Sequence, residues 1–107
     1  MASYNIYIGI GPEILDFGAR WDLLVVNPNG HSCIKYTSTG GPHIGATIYQ
    51  RSRMENKNFF QQSYVERLFV GSISEEKLRA FETVFAETAP GPSQFFVLRV
   101  FCDVFAA

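Results

Sequence analysis

The run that most constrains this chain is its last: Gln94 to Ala107 reads QFFVLRVFCDVFAA, almost unbroken aromatic and aliphatic residues. A segment this apolar is unstable in water, so it must be covered by the rest of the domain, by a partner or by a second copy of itself. Its β-branched and aromatic residues favour a buried strand, while its length and Ser93 as a possible N-cap permit a helix, and both readings stand. It also holds Cys102, one of two cysteines. If that thiol lies in a cleft beside a base, the chain is a small thiol enzyme; if it is packing, the chain is a binding module.

At 107 residues, residues 1–107 make one domain, and 47% hydrophobic with 15% aromatic residues is ample to fill one core. Ten Phe and five Tyr exceed what that core needs, so a homo-oligomer or a surface for a protein or small apolar ligand is expected. A formal charge of −1, with no concentration of Lys or Arg, argues against nucleic acid. The N-terminus lacks the flank and core of a secretory signal, and Arg99 and Asp103 interrupt a closing run too short to span a bilayer. These features point to the cytoplasm, where Cys33 and Cys102 stay reduced.

Tyr4, Ile6, Ile8 and Ile10 alternate with Asn5, Tyr7 and Gly9, the period of a strand with one buried face. Gly11-Pro12 is expected to end it, with a short helical turn over Pro12 to Phe17. Trp21 to Val26 and Cys33 to Thr37 flank the turn signal Asn27-Pro28-Asn29-Gly30 and read as a hairpin. Ala46 to Gln50 leads into Arg51 to Asn58, a polar stretch without apolar period that reads as surface, and Phe59 to Val70 regains strand character. Ser74 caps the one evident helix, residues 74–88, with Glu75 and Glu76 at its positive end. Leu78, Phe81, Val84 and Phe85 share its inner face, leaving Lys77, Arg79, Glu82 and Glu87 outward. The fold class is therefore α+β, a mostly antiparallel sheet of about five strands packed against one main helix.

The chemistry-bearing inventory is short. His31 follows a turn and His43 a Gly-Gly-Pro loop, and each reads first as a solvated turn residue. Cys33, inside a hairpin strand, reads as packing, and Cys102 as a buried thiol. There is no C-x-x-C, H-x-H or H-E-x-x-H, so no metal is expected. Gly9-Ile10-Gly11-Pro12 lacks the third glycine of a dinucleotide loop, and Pro12 removes an N–H, so no cofactor is expected. Glu75, Glu76 and Glu82 fit a helix start and a solvated face better than an acid–base pair.

Arg20 to Val26 (RWDLLVV), then His31, then Phe101-Cys102-Asp103-Val104-Phe105, resemble in that order the permuted papain-like domains of the NlpC/P60-like and lecithin:retinol acyltransferase-like groups. The stretch from Tyr64 to Pro92, with Phe69-Val70-Gly71-Ser72-Ile73 leading into the helix, also resembles small fungal proteins of this layout. The resemblance implies a cysteine-dependent hydrolase or acyltransferase with Cys102 as nucleophile and His31 as base. Three departures stand against it. Arg20 occupies the position of the family's base histidine and cannot accept a proton, Phe101 replaces the polar residue before the nucleophile, and the five residues after Cys102 are expected to be too few for the helix that the family's cysteine begins. The resemblance thus implies a truncated, catalytically silent member.

The leading expectation is a small binding domain that self-associates through its aromatic C-terminal segment, with Trp21, Phe95, Phe96, Phe101 and Phe105 as contact residues. The apolar run closes the sequence with no further segment to cover it. The alternative is the thiol enzyme. A third possibility, a structural assembly protein, shares that interface and polymerises instead of closing as a dimer.

Overall fold

The computed structural model describes residues 3–13, 19–28, 32–40, 49–58 and 64–105. Five strands, β1 (Ser3–Glu13), β2 (Ala19–Val26), β3 (Ser32–Gly40), β4 (Tyr49–Asn58) and β5 (Glu66–Ser74), are followed by two helices, α1 (Glu75–Glu87) and α2 (Ser93–Phe105). The strands form one sheet in the order β4-β3-β2-β1-β5, every neighbouring pair antiparallel. Strands β1 to β4 run as a meander, and β5 returns to the free side of β1, so β4 and β5 are the two edges.

Alternation sorts the side chains onto two faces. Ile6 and Ile8 of β1, Leu23 and Val25 of β2, Tyr36 of β3 and Ile73 of β5 meet Phe81 and Phe85 of α1 and Phe96, Val97, Val100 and Val104 of α2 in the main core. Trp21 and Ile34 pack at its margin. The opposite face carries a smaller cluster, Leu24, Val26 and Cys33, with Tyr7 and Tyr64 against it.

The α+β class, the antiparallel sheet and the helix that Ser74 caps all agree with the sequence expectation, Ser74 accepting from the Lys77 amide at 3.3 Å. The β2–β3 hairpin pairs Leu23 with Tyr36 and Val26 with Cys33, and the Asn27 amide closes on the Ser32 carbonyl at 2.9 Å. Three expectations change. β1 does not stop at Gly11-Pro12 but runs to Glu13, because a register shift between Ile10 and Glu13 absorbs a proline that cannot donate to the ladder. Residues 14–17 of the expected helical turn lie outside the described residues. The polar stretch from Arg51 lies at the surface as expected but is also edge strand β4, where one flank needs no neighbour and apolar alternation is not required. The closing run is a helix, since Phe96, Val97, Val100 and Val104 fall on one helical face and fill the core over β2 and β3.

Candidate interaction surface

Hydrogen bonds to the sheet fix where α2 begins. The Ser93 hydroxyl does not cap α2 as the sequence suggested. It accepts instead from the Trp21 amide of β2 at 3.0 Å, while the Phe96 amide bonds the Pro92 carbonyl at 3.0 Å. Gly91 donates its amide to the Ser38 hydroxyl at 3.2 Å. At the end of α1 the Thr88 amide and hydroxyl both bond the Val84 carbonyl, at 2.9 and 2.7 Å, and Arg51 of β4 donates to the Thr88 carbonyl at 2.9 Å. The α1–α2 connection is thereby tied to β2, β3 and β4.

That geometry leaves a groove of about 930 Å³ between the end of α1 and the outer side of α2, lined among others by Val84, Ala89, Phe95, Leu98 and Cys102. Phe95 is 70% exposed and Leu98 41% exposed. Phe95, Leu98 and Cys102 recur at i, i+3 and i+7, the spacing of a helix–helix seam. Arg99 and Asp103, 3.0 Å apart, flank it with an ion pair one turn apart. α2 therefore has two apolar faces, one spent on the core and one at the surface.

The predicted contact residues divide accordingly. Phe95 stands at the surface. Phe96 is buried, packing edge-on against Phe85 with ring centroids 5.6 Å apart, so the core takes it and no partner can reach it. Trp21 and Phe101 are half-buried. The backbone of Phe105 ends α2, and its side chain lies outside the described residues.

Cys102 is exposed, not buried as the sequence suggested, because position 102 follows the outer row of α2. It stands in the last turns of the helix, whereas an activated thiol of papain type stands at a helix start. His31 and His43 lie outside the described residues. Cys33 is core: burial pushes its thiol up from the ordinary value, and the nearby Lys35 charge opposes that. Arg20 points to the sheet face away from the helices, where its guanidinium contacts Asp22 at 3.3 Å. Asp22 is fully buried and also accepts from the Tyr64 hydroxyl at 2.7 Å. Tyr64 lies flat on β1, with its ring where a Cβ on Gly9 would come within 2.7 Å, so only glycine fits there.

A second polar cluster went unread in the sequence. Glu82, expected outward, is turned toward the sheet, where Tyr36 donates to it at 2.6 Å and Arg53 of β4 grips both oxygens at 2.8 to 3.1 Å. Burial first, then the hydrogen bond to Glu82, holds the Tyr36 phenol well above the ordinary tyrosine value; burial and Asp22 do the same for Tyr64. The signal available was the charged alternation Arg51, Arg53, Glu55 in a stretch without apolar period, which is how a protected edge strand reads. No protein-family model, curated protein or solved structure matches the chain.

Proposed function

We propose that this domain works by binding, associating with a second copy of itself through the outer face of α2. The observation that carries this is Phe95. Its neighbour Phe96 fills the core, yet Phe95 is 70% exposed on a seam continued by Leu98 and Cys102 and bordered by an apolar groove. Burying such a side chain against a partner is worth about 1.5–3 kcal/mol, enough to make it an anchor. Sedimentation of wild type and Phe95→Lys over a concentration series tests the reading. Wild type associates and the variant needs at least about tenfold more protein to do so, a loss of about 1.4 kcal/mol. Equal association of both discards it.

The exposure of Cys102 on the same groove favours one alternative, a thiol hydrolase or acyltransferase that lodges an acyl chain beside Phe95. It requires rapid iodoacetamide labelling of Cys102 at neutral pH and turnover of an activated acyl ester that Cys102→Ser abolishes. Slow labelling or Cys102-independent turnover removes it.

A further inference from the structure

We draw no further inference here: the strongest candidate, the apolar surface patch that Leu68 and Phe69 expose on edge strand β5, carries nothing because nothing in the structure shows what covers it.

Discussion

The two edges of this sheet are built differently. β4 presents Arg51, Arg53 and Glu55, and its arginines reach back to α1: Arg51 bonds the Thr88 carbonyl and Arg53 clasps Glu82. β5 presents Leu68 and Phe69 to solvent, with Val65 exposed just before it. Charge and side-chain tethers of the β4 kind are how folded proteins keep an edge from recruiting other strands. Among the described residues, one edge of the sheet is tethered by charged side chains and the other carries exposed apolar ones. The difference is local to the two strands and not a general property of the fold.

The contrast can be broken most severely by making β4 resemble β5. Replacing Arg51, Arg53 and Glu55 together by Val should expose a second apolar edge and lower the solubility limit at least about tenfold, as turbidity against concentration would reveal. Unchanged solubility would mean that the charges do not guard the edge. Glu82→Ala comes next. It leaves the buried Tyr36 hydroxyl without its acceptor and Arg53 with Glu55 alone, and should cost about 2 kcal/mol in urea unfolding, discounted for the partly exposed ion pair.

Alkaline pH offers a comparable handle on both sides of the sheet. Tyr36, near β4, and Tyr64, packed on β1 beside β5, each have a phenol held above the ordinary value of about 10. A raised pKa means that the folded state keeps the proton longer than the unfolded one. The associated stability is complete below about pH 10 and falls above it, by at most about 1.4 kcal/mol per pH unit per tyrosine. Tyr36→Phe and Tyr64→Phe should each flatten the loss between pH 10 and 11. A variant that leaves the slope unchanged would show that its phenol ionises freely in the fold. The smallest effect is expected of Arg53→Lys, which keeps the charge and loses the fork, at about 0.5–1 kcal/mol by the same unfolding assay.

The fold was largely legible because it follows period. The alternation from Tyr4 to Ile10, the turn at Asn27 to Gly30 and the capped helix after Ser74 each stated their structure locally. The closing run was ambiguous because a fourteen-residue apolar stretch satisfies both periods. Its helix is decided by packing of Val97, Val100 and Val104 over β2 and β3, a tertiary fact. β4 was missed because an edge strand with charged flanks lacks the apolar alternation that announces strands. At the candidate surface, composition flagged the aromatic excess but could not say which rings the core would keep. Adjacent Phe95 and Phe96 look alike in sequence, yet the turn of α2 exposes the first and buries the second. Leu68 and Phe69 looked like ordinary strand residues until the topology placed them at an edge.

Amide hydrogen exchange, followed residue by residue at low and at high protein concentration, tests association through α2 most directly. Amides of α2 around Phe95 and Leu98 should gain protection as concentration rises, while those of β4 exchange at the same rate throughout. Protection that rises equally on both, or on neither, would contradict self-association through α2.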